Sequence, residues 1–321
     1  MTGFLGQLGK NLADKWLSLM AVPGALYLAV LLTARALGQS HTFDVNTLTT
    51  SFTGWAKGFS VSSTGGQVAL LAAALAACGA VGLVARGLAG GIERVVLAAG
   101  WRRWPAPLRW AANRRVARRR RRWDDASRHL DRLREKSARA AALRKPYDDD
   151  ELSRAREAVH RIALTRPDRP TWSGDRVQAA AARLLRDHRI DFGLVWPHLW
   201  LTLAAPQQDE ISAARDTLGR AALLGSWAVL YAPLAFMWWP AAPVALVVAV
   251  TAHHRFREAV QVYAQLLEAA VRVYTGPMAS QLGIEFTGRL PADIGDQLTD
   301  LLGPVPPPDG DDHHGTARQM A

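Results

Sequence analysis

Three groups of side chains have types that do chemistry. His188, Asp191 and His198 bring two imidazoles and a carboxylate within eleven residues. In one continuous helix His188 and Asp191 would share a face, as an acid–base pair or part of a metal site. The leucines and tryptophans around them favour a packed motif instead. Asp148, Asp149, Asp150 and Glu151 are consecutive carboxylates, but calcium loops alternate their ligands. This run reads as a helix start, where acids meet the positive end of the dipole. His253 and His254 are adjacent, so a helix points them in different directions, at an interface. His313 and His314, beside Asp311 and Asp312, would bind only a stray metal in a polar tail.

No phosphate loop, nucleophile elbow, paired CxxC or HExxH occurs. No enzyme, catalytic residue, metal or cofactor is expected. Cys78 is the single cysteine, which excludes an intrachain disulfide.

The strongest signal is basic. Lys+Arg number 39 against Asp+Glu 28, a net charge of +11. From Trp101 to Trp123 there are ten arginines, at 102, 103, 109, 114, 115 and 118 to 122. Tryptophans 101, 104, 110 and 123 are interleaved with them. Such a cluster beside a membrane gains about 1 kcal/mol per basic residue from the anionic cytoplasmic leaflet, and tryptophan favours the same boundary. Anionic lipid headgroups are therefore the expected contact of Arg102, Arg103, Arg109, Arg114, Arg115, Arg118, Arg119, Arg120, Arg121 and Arg122. Trp101, Trp104, Trp110, Trp123, Trp238 and Trp239 are the expected interface anchors. Nucleic acid is the rival partner, held through phosphates without sequence readout. No base-reading module accompanies the cluster, which ranks nucleic acid second. Only five basic residues are lysine, so codon usage of a GC-rich genome accounts for part of the arginine excess.

The elements that must position these cations are apolar. Residues 16 to 36 and 68 to 84 are each long enough for the roughly 20-residue span that hydrocarbon requires. A secretory signal peptide is the alternative for the first. Residues 221 to 239 form a third run, broken by Pro240, and 241 to 252 a short fourth. The fourth reads as a crossing, with a re-entrant segment as alternative. None of these runs carries an acid or base near its middle, which argues against an ion pathway. Ala73, Ala77, Gly79 and Gly82 permit close helix approach, so a homo-oligomer is a further expected partner.

Charge orients the runs. The loop from 38 to 67 holds only Asp44 and Lys57, whereas residues 91 to 216 hold 28 Lys and Arg. The excess marks the cytoplasmic side, which predicts a multi-pass inner-membrane protein with both termini in the cytoplasm. The expected fold class is all-α: an integral membrane protein with two transmembrane hairpins and a helical cytosolic domain between them.

The expected order is a cytosolic N-terminus (1–15), first span (16–37), external loop (38–66), second span (67–86) and basic juxtamembrane region (87–123). A helical cytosolic domain (124–216), third span (217–239), short fourth span (240–254), cytosolic amphipathic helix (255–285) and disordered tail (286–321) follow. Within the cytosolic part, residues 124 to 144 read as an exposed charged helix able to pair with a partner helix. Ser173 or Asp175 is positioned to cap a helix from 176 to 188. Residues 189 to 206 are too short and too proline-interrupted to span; they form a cytosolic core or lie along the membrane. Pro206 suits the first turn of a helix running into the third span.

The order "RIDFGLVWPHLW", a helix, a membrane hairpin and "FREAVQVYAQLLEAAVRVY" resembles a family of bacterial membrane proteins for which no activity is established. His188, Arg189, Asp191, Trp196 and Pro197 carry the resemblance, over roughly 170 to 285, with Ile190 and Phe192 departing from the pattern. It implies a joined cytosolic and membrane architecture, a packing motif at Asp191, Trp196 and Pro197, and no chemistry.

The expected function is a scaffold or recruitment protein at the inner membrane face, its protein partner unidentified. A membrane-tethered DNA-binding protein of plasmid spread and a membrane-perturbing defence effector are the alternatives.

Overall fold

A computed structural model of the chain describes residues 22–39, 44, 49–50, 53, 64–98, 100–146, 149–284, 291 and 293–303. The N-terminus, residues 16–21 of the first apolar run, most of the 38–66 loop, Asp148, and the tail from 304 with His313 and His314 lie outside these. Among the described residues every regular element is helical. The helices are α1 (Val22–Leu37), α2 (Thr64–Leu97), α3 (Ala106–Ala142), α4 (Asp149–Ile162) and α5 (Trp172–His188). They continue with α6 (Phe192–Thr202), α7 (Ala205–Tyr231), α8 (Ala241–Gln281) and α9 (Ile294–Leu302).

Two stretches are long and apolar enough to cross a membrane, Gly65–Leu97 and Ala205–Phe236, with the shorter apolar α1 beside them. The fourth apolar run is not a separate short segment. It opens α8, a single 41-residue helix that also contains the amphipathic stretch from 255. Nothing between His254 and Gln281 stops it until Gly283, at φ +82°. The third run behaves as expected up to Tyr231, where Pro233 tightens the chain into a 3₁₀ turn over Ala232–Phe236.

Contacts divide the chain into two units, residues 1–177 with 210–264, and 178–209 with 265–321. In the first unit, Gly24 of α1 lies against the backbone carbonyl of Cys78 of α2, an approach any Cβ would block. Tyr27 meets Trp227 and Tyr231 of α7 at ring distances of 6.4 and 5.5 Å. Gln39 donates to the carbonyl of Phe236 at 2.8 Å. Leu218, Ala221 and Ala222 of α7 pack on Phe256, Ala259 and Val260 of α8, with Val96 and Leu97 of α2 against them.

Leu97 ends α2 because Ala98 and Gly100 adopt left-handed φ of 49° and 63°. Pro105 then begins α3, where its missing N–H costs nothing. Helix α3 crosses the boundary expected at residue 123 without a break. Its charged half is not solitary: Leu130 and Leu133 are buried against Ala155 and Val159 of α4. The partner helix belongs to the same chain. Asp149, Asp150 and Glu151 occupy the first turn of α4, as the dipole favours.

In the second unit, α6 and α9 pack together, burying Ile190, Val195, Leu199, Ile294 and Leu298. Helix α9 lies inside the stretch expected to be disordered. Asp293 at its start, Gly303 at its end and the Ile294–Leu298 spacing were signals enough for a short amphipathic helix. Gly295 sits against the backbone of Arg189 and Ile190 with no room for a Cβ. Gly219, within α7, has open space around it.

The two glycines therefore answer opposite ways to alanine. Gly295→Ala is expected to destabilise the α6–α9 pair by about 1–3 kcal/mol through overpacking against backbone. Gly219→Ala is expected to stabilise by up to about 1 kcal/mol through helix propensity. Thermal unfolding of each variant in detergent checks both signs.

Candidate membrane-facing site

The ten clustered arginines divide into two populations. Arg119 turns inward, with its side chain 14% exposed. Its guanidinium donates to the carbonyls of Ile162 (2.7 Å), Arg169 (2.7 Å) and Thr171 (2.9 Å) and pairs with the Asp175 carboxylate. A planar fork with five donors suits such divided acceptors, and a lysine ammonium does not. Asp175 is 4% exposed and accepts from the backbone N–H of Asp168 (3.0 Å) and Arg169 (2.8 Å). The loop 163–171 is therefore strapped onto α3 from both sides.

Two more arginines hold the same strap. Arg120 pairs with Asp168 at 2.6 Å and donates to Pro167 O at 2.8 Å. Arg102 reaches Asp168 at 3.1 Å. From the strap itself, Arg169 donates to Leu97 O at 3.0 Å, tying the loop to the end of α2. Gly174 is required there, since a Cβ would lie 2.5 Å from the same carbonyl. The expected headgroup roles of Arg102, Arg119 and Arg120 thus give way to protein partners. Helix α5 begins at Trp172, so Ser173 and Asp175 fall inside its first turn and do not cap a helix starting at 176. Asp175 anchors the preceding loop.

The second population is Arg103, Arg109, Arg114, Arg115, Arg118, Arg121 and Arg122. All are exposed, and none has a carboxylate partner among the described residues. Arg114 stacks over Trp110 at 5.5 Å. Trp110 is 64% and Leu108 57% exposed on the same stretch of α3. These apolar side chains stand among cations that have no carboxylate partner among the described residues.

The other expected anchors separate likewise. Trp101 is buried against Ala98, Ala112 and Val116, with Trp104 packed on this cluster. Trp123 packs beside Leu130 and donates its indole N–H to Ala163 O at 3.1 Å. Trp101 is therefore a core residue and Trp123 is half-buried against the core, because both sit on the inward stripe of α3 or its approach. Trp239 is exposed at the turn before α8, next to Phe236, 87% exposed, and Trp238 is half-buried there.

His188, Asp191 and His198 do not share a helix face. Arg189 takes a left-handed φ of 54° and ends α5 between His188 and Asp191. Asp191 instead caps α6, accepting from Gly193 N at 2.8 Å. His198 is exposed, its Nδ1 3.1 Å from Leu194 O. No group of three potential metal ligands occurs among the described residues. Nor do Asp191, Trp196 and Pro197 form the packing core of α6, which is Val195 and Leu199. Trp196 stacks on Phe192 at 5.1 Å and meets Trp200 at 5.8 Å, a half-exposed aromatic row along one side of the helix.

A site that spacing alone did not reveal lies in the first unit. Arg257 of α8 lies over the Trp172 ring at 4.3 Å, at the mouth of a cleft of about 610 Å³ reached from α2, α7 and α8. No family model, curated protein or solved structure matches the chain.

Burial raises the Asp175 carboxyl above its usual range, opposed by the Arg119 charge and by the N–H groups of Asp168 and Arg169. A raised folded value means the stability tied to this proton is fully present below the usual carboxylate range. It is lost as pH rises through the folded value. Arg119→Ala strands a buried carboxylate and is expected to cost about 3–5 kcal/mol at neutral pH. Asp175 then holds its proton to higher pH still, so the deficit should shrink as pH falls from 7 towards 4. Melting temperatures of wild type and variant across that range test this; a pH-independent deficit would refute it.

Proposed function

We propose that the chain is a multi-pass inner-membrane protein that presents the α3–α4 body along the cytoplasmic leaflet as a recruitment surface. The seven exposed, unpaired arginines of the 103–122 stretch, with Trp110 and Leu108 beside them, carry this reading. Electrostatic attraction to anionic lipid favours that arrangement at about 1 kcal/mol per cation, and the rings suit the headgroup boundary.

The order of contacts supports two hairpins. Tyr27 then Gln39 of α1 meet Trp227–Tyr231 then Phe236, so α1 and α7 run the same way. Gly225 of α7 faces both Ile92 and Ala252, while Leu218 and Ala222 face Val96–Leu97 and Phe256–Val260. Helices α2 and α8 therefore run opposite to α7. Arg215 of α7 pairs with Glu93 of α2 at the end that continues into the basic body. The turn at Trp238–Pro240 lies at the other end.

Reconstitution of the full chain with Cys78→Ala tests the reading. A cysteine at Ala117 should react only from the cytoplasmic side, and one at Gln39 only from the opposite side. The Ala117→Cys reaction should slow in phosphatidylglycerol vesicles relative to phosphatidylcholine and recover in 1 M salt, where the Debye length falls to about 3 Å. Reaction at position 117 from the outer side, or release of the chain without detergent, would refute it. Indifference to anionic lipid with firm DNA retention at moderate salt would move the arginines to nucleic acid.

A further inference from the structure

The cleft is built as a trough with one polar end. Small side chains predominate on its walls, Ala221, Gly225 and Ala228 of α7 and Ala245 and Ala249 of α8, beside the larger Val229 and Leu246. The space between two otherwise packed helices stays open there. From Arg257 to Ala242, both on the lining, the helix rises about 22 Å. One lipid tail covers roughly 15 Å, half the hydrocarbon thickness.

The polar end carries His253 and two groups, Ser173 and Arg257, that have no hydrogen-bond or ion-pair partner among the described residues. Ser173 is 3% exposed, lines the cleft, and its hydroxyl makes no hydrogen bond to a described residue. Arg257 is half-buried and stacked on Trp172, with no carboxylate partner among the described residues. Burial and the neighbouring Arg119 both pull its pKa below the usual arginine value, the mark of a cation without compensation. A half-buried cation lacks an anion there among the described residues, and beyond His253 the trough behind it is apolar.

We propose that this cleft binds one acyl tail of an anionic phospholipid from the cytoplasmic leaflet, with its phosphate held by Arg257 and Ser173. The proposal rests on the membrane reading above and adds a defined lipid site to it. The trough supplies the tail with contacts along its length, and Arg257 supplies selectivity for negative charge. An apolar trough that ends at a cation matches the tail and phosphate of one lipid molecule, which is why lipid is the favoured occupant.

Photolabelling of the full-length chain in micelles doped with phosphatidylglycerol carrying a diazirine on one tail tests it. Label is expected within residues 221–235 and 242–252. Arg257→Gln should lower that labelling at least fivefold and abolish its excess over a phosphatidylcholine probe. Ala249→Leu should lower labelling by both probes, because the exposed wall position grows into the trough. Either variant alone carries the result if the other fails to fold, as judged by elution and melting. Labelling unchanged in a folded variant, labelling confined to the exposed 68–75 face of α2, or an unlabelled trough in a chain that dimerises would each overturn the proposal. Carbonate extraction of membranes that hold the same variants keeps the two readings apart. A chain that leaves the membrane refutes the membrane reading, whereas an integral chain with an unlabelled trough refutes only this site.

Discussion

The fold of the basic body turns on one buried cation. Arg119 answers four acceptors at once, three carbonyls and the Asp175 carboxylate, with its side chain largely withdrawn from solvent. Burying a charge is costly unless every partner is present. This set is complete on the arginine side and on the carboxylate side, where two backbone N–H groups also converge. The loop between α4 and α5 thereby acquires one position. Through Arg169 and Gly174, so does the end of α2. The apolar helices and the charged body of the first unit are joined at this point.

That constraint also sorts the arginines. A long helix with cations on every side cannot bury all of them, and only the side facing the strap offers carbonyls and carboxylates. Arg102, Arg119 and Arg120 take those partners. The remaining cations stay in solvent, where their mutual repulsion is screened and their field is available to an external polyanion. Structural and interaction roles therefore alternate within one run of identical residues. The deciding factor is angular position on α3 and not local density.

Small residues set the other theme. At Gly24 an absent side chain lets backbones touch. Along α7 and α8 small residues instead line an open cleft. Close approach at Leu218–Val260 and openness further along belong to the same pair of helices. The transition from packed to open occurs beside Ser173 and Arg257, which places polar groups where the trough begins.

The all-helical character, the apolar runs 68–84 and 221–239 that fall within or overlap the helical stretches Gly65–Leu97 and Ala205–Phe236, the acidic start of α4 and the break at Pro240 were legible from residue order. Each depends on local propensity, periodicity or length, and those act within a few turns of chain. The end of α5 at His188 agrees with the expected 176–188 helix, but the left-handed φ of Arg189 that ends it was not legible. The α9 helix was passed over because its signal is nine residues beside a proline-rich tail. What residue order determined is the inventory: which segments are apolar and where charge accumulates. Only tertiary structure decided which arginine is buried, which tryptophan is core and where a cleft opens. Those outcomes depend on acceptors 43 to 56 residues away in the chain, brought close by packing that no local pattern encodes.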